Sequence, residues 1–170
     1  NGALFLGSDR VIGMEKLGLL SEMTVSTKES VDAGYFTDKI IKGFPTNPSC
    51  LIIMLGATNP SKTGITCMKT LLDKLKGKYP SKKIYVIREL HLGLSYDNSS
   101  GSYLTINKEI DNFNEDIRSY CNANNLISLD ASKNLEITSL LNATYAPDGF
   151  NLDDNGNRIL FNNIKDLILD

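Results

Sequence analysis

Apolar runs of strand length recur along the chain: Ala3-Leu4-Phe5-Leu6, Met23-Thr24-Val25-Ser26, Leu51 to Leu55, Ile84-Tyr85-Val86-Ile87 and Leu126-Ile127-Ser128-Leu129. Between and after them the apolar spacing lengthens to three or four residues. Ile65, Met68, Leu71, Leu72 and Leu75 form one such series; Ile106, Ile110, Phe113, Ile117 and Tyr120 form a second; Ile159, Leu160, Ile164, Leu167 and Ile168 form a last one. Those spacings put the apolar residues on one face of a helix. Strands alternating with helices predict βαβ crossovers, hence an α/β fold of three layers around a five-stranded parallel sheet. The unbroken apolarity of Leu51 to Leu55 marks a central strand, whereas Met23 to Ser26 alternates and belongs nearer an edge. Pro45, Pro48, Pro60 and Pro80 all fall in the predicted connections. The one long connection, Glu89 to Thr105, is rich in Gly, Ser and Asn; such loops in compact α/β domains usually serve function. No internal repeat or low-complexity tract interrupts the pattern.

A chain of 170 residues has the size of one domain and can bury a full core. Hydrophobic residues make up 41% of it before its 13 glycines are counted, an ordinary globular composition. Eighteen Lys and Arg face 20 Asp and Glu, for a net charge of −2, and no basic run is long enough to track phosphates, which argues against nucleic acid. The longest apolar run, Leu51 to Leu55, is far short of the roughly 18 residues of a membrane span. The chain opens almost on its first strand and reads as a mature or excised piece of a longer protein, a setting compatible with the cell surface. Abundant Asn, Lys and Ile suit a low-GC bacterium or its phage. Cys50, Cys67 and Cys121 fit neither a disulfide framework nor a zinc pattern and read as small buried hydrophobes.

In an open parallel sheet, ligands bind beyond the carboxyl ends of the strands. The residues there are Gly7-Ser8-Asp9, Thr27-Lys28-Glu29-Ser30, Gly56-Ala57-Thr58-Asn59 and Arg88-Glu89-Leu90-His91, joined near the C-terminus by Ala146-Pro147-Asp148-Gly149-Phe150-Asn151-Leu152. Two patterns resemble other sites and lead elsewhere. Asn151, Asp153, Asn155, Gly156 and Asn162 are spaced like a calcium loop, but Asn162 cannot supply the acid that ends one; the ordinary reading is a polar turn with Asp154 or Asn155 capping the last helix. Gly56 to Thr63 has a Lys-Thr after a strand but no glycine before Lys62, so it is not a phosphate loop. Tyr96 and Tyr103 flank the long connection, where tyrosines either stack on sugars or pack against the domain.

Taken together, the strand-end blocks resemble the SGNH (GDSL-type) hydrolases, a family of esterases, lipases and carbohydrate O-deacetylases with a flavodoxin-like fold. The resemblance covers essentially the whole chain. Leu4-Phe5-Leu6-Gly7-Ser8-Asp9 is similar to the family's Gly-Asp-Ser nucleophile block, and Leu55-Gly56-Ala57-Thr58-Asn59 to its Gly-x-Asn-Asp block. Pro147-Asp148-Gly149-Phe150-Asn151-Leu152, with Gly156, Arg158 and Leu160, is similar to its Asp-Gly-x-His-Leu block. The resemblance implies a serine nucleophile, a histidine base and oxyanion donors, and no cofactor or metal.

Laid on that pattern, the serine position carries Asp9, the histidine position Asn151, the oxyanion glycine Glu29 and the oxyanion asparagine Thr58; the acid is kept as Asp148. A carboxylate at Asp9 is a weak nucleophile and repels a developing oxyanion, and an amide at Asn151 cannot take a proton near neutral pH. The expectation is therefore a domain that has lost ester hydrolysis and keeps its cleft, lined by Asp9, Glu29, Thr58, Asn59 and Asn151, as a binding or scaffolding surface for carbohydrate or protein. The alternative is an active esterase or O-deacetylase that shifts by one residue to Ser8 and Asn59 and draws on His91, the only histidine, with Asp148.

Overall fold

A computed structural model describes residues 2–98 and 101–169. In chain order its strands are β1 (Leu4–Gly7), β2 (Thr24–Thr27), β3 (Leu51–Met54), β4 (Ile84–Ile87), β5 (Asp97–Asn98), β6 (Gly101–Ser102), β7 (Ile127–Leu129), β8 (Glu136–Ile137) and β9 (Leu140–Leu141). Its helices are α1 (Asp9–Lys16), α2 (Lys39–Lys42), α3 (Lys62–Lys78), α4 (Tyr103–Ala123) and α5 (Asp154–Leu169), with a 3-10 turn at Ala33–Phe36. Five strands form one parallel sheet in the order β2-β1-β3-β4-β7. The unbroken β3 is central and the alternating β2 lies at an edge, as the apolar pattern predicts.

Side chains on successive strand residues point to opposite faces, and both faces here are covered. Leu4, Leu6, Leu51, Ile53, Leu55, Ile84 and Val86 join Met68, Leu71, Leu72 and Leu75 of α3 and Phe113, Ile117 and Cys121 of α4 in one core; most of the α4 and α3 periodicity is spent there. Phe5, Ile52, Met54, Tyr85 and Ile87 turn the other way, onto Val11 and Met14 of α1 and Leu160 and Ile164 of α5. No described helix is long and apolar enough to cross a membrane.

The register positions the site. Gly7 stands beside Thr27 on one side and Met54 on the other, so the turns that follow β1, β2 and β3 emerge together at the carboxyl edge. At the other end of the chain, the cap of α5 is Asp153 rather than Asp154 or Asn155. Its Oδ1 accepts the Gly156 N–H at 2.7 Å, so the polar residues of the calcium-like spacing serve a helix start.

Candidate functional site

The β1–α1 turn is tight because only glycine fits at position 7. A Cβ there would lie 2.0 Å from Val11 Cγ2. The turn leaves the Ser8 hydroxyl 3.4 Å from Asp9 Oδ2 but buries the two residues to different degrees. Ser8 is buried, and its hydroxyl donates to the Lys28 carbonyl at 2.8 Å and accepts the Val31 N–H at 3.3 Å. Asp9 is half-buried and turns to the cleft, where its Oδ2 accepts the Ser30 N–H at 3.3 Å.

That cleft, of 480 Å³, lies beyond the strand ends and is lined by Asp9, Ser30, Thr58, Asn59, Tyr96, Thr105, Glu109 and Phe150. It borders, at Pro60 and Glu109, an open groove of 840 Å³ between the start of α3 and the face of α4, lined by Ser61, Lys62, Thr63, Asn112, Glu115 and Ser119. Polar groups converge along both. Asn59 is held within the wall: its amide donates to Asp32 Oδ2 at 2.9 Å and its carbonyl accepts the Ser61 hydroxyl at 2.5 Å. Tyr96 packs against Phe150 with ring centroids 6.3 Å apart. Tyr103 does not line the cleft; it opens α4.

The block at 148–151 is a self-contained turn. Gly149 has φ +78°, a conformation that side chains other than glycine rarely adopt. The Asp148 carboxylate caps this turn, accepting the N–H groups of Phe150 and Asn151 at 2.8 and 2.7 Å and the Asn151 amide at 2.8 Å. Burial works to raise the Asp148 carboxyl, but these three donors and the nearby Arg10 charge outweigh it and hold it below its ordinary value. Asn151 thus sits where an acid would orient a base, yet its side-chain amide cannot accept a proton at neutral pH. It does not share the cleft with Thr58 and Asn59. With Asp9, Arg10 and Phe150 it lines a separate pocket of 40 Å³, because Phe150 stands between the two spaces.

Two further positions fall differently from the aligned pattern. Glu29 is exposed and absent from the cleft wall; the neighbouring Ser30, in the left-handed region at φ +52°, supplies that wall instead. His91 is buried with both ring nitrogens occupied. Nδ1 lies 3.0 Å from Glu136 Oε1 and Nε2 lies 2.5 Å from Asp111 Oδ1, while Glu136 Oε2 also accepts the His91 N–H at 2.7 Å. The bond to Glu136 raises the imidazole against burial, and Asp111 adds to the rise, to about 9. An imidazolium held between two carboxylates is a structural cation at neutral pH. Ser8 and His91 are hydrogen-bonded to other groups and not to one another.

Several neighbours of the site escape sequence reasoning. Arg10 and Glu89 are buried beneath the Ser8–Asp9 turn; the only hint of them is charge placed directly after a nucleophile-like block and directly after a strand. Glu109 lies on the exposed part of a helix and gives no signal. No group of three or more His, Cys, Asp or Glu placed to hold a metal occurs among the described residues.

No family model matches the chain, and no curated protein sequence does. Solved structures do match. A Streptococcus pneumonia protein named after platelet activating factor superposes with a TM-score of 0.80 at 17% identity, over 98% of this chain and 83% of that one. A GDSL-like lipase from Bacteroides thetaiotaomicron gives 0.75 at 14%, over 98% and 87%. The chain has the SGNH hydrolase fold. A carbohydrate acetylesterase from Sinorhizobium meliloti, with a TM-score of 0.69 at 12% identity, is matched over 99% of both chains. At these identities the likeness is one of fold, and chemistry must be argued from the residues.

Proposed function

We propose that this chain is an SGNH-fold module that binds a carbohydrate in its strand-end cleft without hydrolysing it. The observation that carries the reading is the Asp9 carboxylate. The resemblance of the block at residues 4–9 assigns Asp9 the nucleophile position, and its carboxylate accepts the Ser30 N–H. Hydrolysis of an ester needs a nucleophile with a base in reach and donors free for the oxyanion. Here the nucleophile position and one donor satisfy each other, and Asn151 offers no base.

The binding half of the reading rests on the lining. Hydroxyls and amides from Ser30, Thr58, Asn59 and Thr105 converge beside two aromatic rings, Tyr96 and Phe150, the mixture of a few placed polar groups and flat apolar surface that orients a sugar. The continuation into the groove along α4 gives room for more than one ring. Titration of the ¹⁵N-labelled protein with N-acetylated and O-acetylated oligosaccharides tests this. Resonances of Ser30, Thr58, Tyr96 and Phe150 should shift saturably while the acetyl signal of the sugar stays bound to it. No shift with any sugar, or release of free acetate, contradicts the reading.

A further inference from the structure

Arg10 and Glu89 lie below the cleft and make no part of its surface, yet both are almost fully buried, at 6% and 5% exposure. With Ser8, Met54 and Phe150 they line a cavity of 10 Å³, about the room of one water molecule. The guanidinium carbon of Arg10 lies 4.5 Å from the centroid of the Phe150 ring, and its Nη1 donates to the Phe150 carbonyl. Arg10 Nε and Nη2 and Glu89 Oε2 have no hydrogen-bond partner in the protein. One guanidinium therefore grips both the ring and the backbone of Phe150, the residue that walls the cleft from the Asn151 pocket, and has donors to spare on its other side.

The charges around this pair are few and come from four segments. Arg10 faces Glu89 after β4, Glu136 on β8, Asp148 in the 148–151 turn and Asp9 at the start of its own helix. Glu89 faces Arg10 and Asp9 and accepts the Ala57 N–H. Its backbone is fixed by Asn114 of α4, at 2.9 and 3.0 Å. His91, beside Glu136, keeps its charge until its value of about 9 is approached. Burial lifts Glu89 to about 7 against the pull of Arg10 and of the Ala57 N–H.

We propose that Arg10 is the positioning residue for the Phe150 wall of the cleft, and that Glu89 sets how firmly Arg10 holds it by gaining or losing a proton. With Glu89 charged, the guanidinium is drawn toward the cavity and its unused donors have an anion to meet. With Glu89 neutral, the proton coming from solvent, the buried pair carries a net positive charge, and the guanidinium is left to the Phe150 carbonyl and the Asp9 and Asp148 carboxylates. The wall is tightest in acid and loosest in base. This rests on the binding reading only for what the wall regulates, so its test uses the free protein and no sugar.

The experiment follows the Phe150 backbone and ring resonances, the Arg10 Nε–H and the Glu89 Cδ by NMR from about pH 5.5 to about pH 8.5. All three should move with one midpoint near 7, and in Glu89→Gln the Phe150 response should be lost. Arg10→Lys keeps the charge but not the two-point grip, so it should abolish the Phe150 response while Glu89 still titrates; this arm decides the matter if Glu89→Gln does not fold. A Phe150 response that persists in either variant, or a Glu89 that does not titrate in this range, overturns the proposal. Coupled titration in a protein that binds no sugar would leave it standing and sink the binding reading alone.

Discussion

Ser8 and Asp9 show how much a single position matters at a strand-to-helix turn. Exchanging the two letters of a nucleophile block buries the hydroxyl against Lys28 and Val31 and presents a carboxylate to the cleft. Restoring the letters where the cleft needs them, Asp9→Ser with Asn151→His, places a serine and a base beside Asp148 and frees the Ser30 N–H. We expect measurable p-nitrophenyl acetate turnover that Asp148→Ala reduces, at a rate still about 100-fold below an ordinary esterase of this fold, because Thr58 supplies no amide donor and one missing donor costs about that much. Thr58→Asn should recover part of the deficit; ordinary rates without it would show that Thr58 is not at the oxyanion position. The block pattern draws attention to residues 8 and 9, and the fold puts Asp9 in the cleft wall. That Ser30 rather than Glu29 lines it was not legible, because the left-handed φ of Ser30 reverses the chain direction at that point, and no composition signal announces a left-handed serine. His91 was legible as a strand-end residue but not as a structural cation, since Glu136 and Asp111 come from distant segments. Its raised value works for stability in one direction: the contribution is fully present below about 6.5 and is lost as pH rises through about 9. The melting temperature should fall over that window, and His91→Gln should flatten the fall.

At the scale of elements, α4 does more than cover the sheet. Asn107 and Asn114, seven residues apart on its buried face, each hold one extended residue of the loop after β4 by both backbone groups. Asn107 binds Leu92 at 2.7 and 3.0 Å, and Asn114 binds Glu89 at 2.9 and 3.0 Å. The side-chain amides act as a short imitation strand, continuing the pairing of β4 past its end and fixing the loop that carries Tyr96 to the cleft. Asn114→Ala leaves the buried N–H and C=O of Glu89 without partners, and the expected loss of unfolding free energy is about 2–4 kcal/mol, read from denaturant titration. A loss under about 0.5 kcal/mol would mean that the loop finds other partners. The five main strands and three long helices were readable because their apolar periods are unmixed. The β8–β9 hairpin was not. Its turn is made by Thr138 and Ser139, both left-handed at φ +50° and +61°, where the usual signal is Asn-Gly or Asp-Gly. Glu136, the partner of His91, was hidden with it.

For the whole molecule, alternation of strand and helix dictated the layers, and the parallel register then dictated where a site must lie. Covering both faces of β1, β3 and β4 takes up nearly every large apolar residue, which leaves function to the turns at one edge. Those turns lie where the SGNH fold opens its cleft, and their side chains satisfy one another: Asp9 with Ser30, Asp148 with Asn151, His91 with Glu136 and Asp111. The shape of the cleft is not legible in the sequence, because it comes from Phe150, Tyr96 and Glu109, which meet only in the fold. The most direct test of the account is the hydrolysis of p-nitrophenyl acetate by the wild-type protein beside Ser8→Ala at equal concentration. The account predicts equal rates, no faster than the uncatalysed background. Turnover above background that Ser8→Ala abolishes would contradict it and make Ser8 the nucleophile of a working esterase.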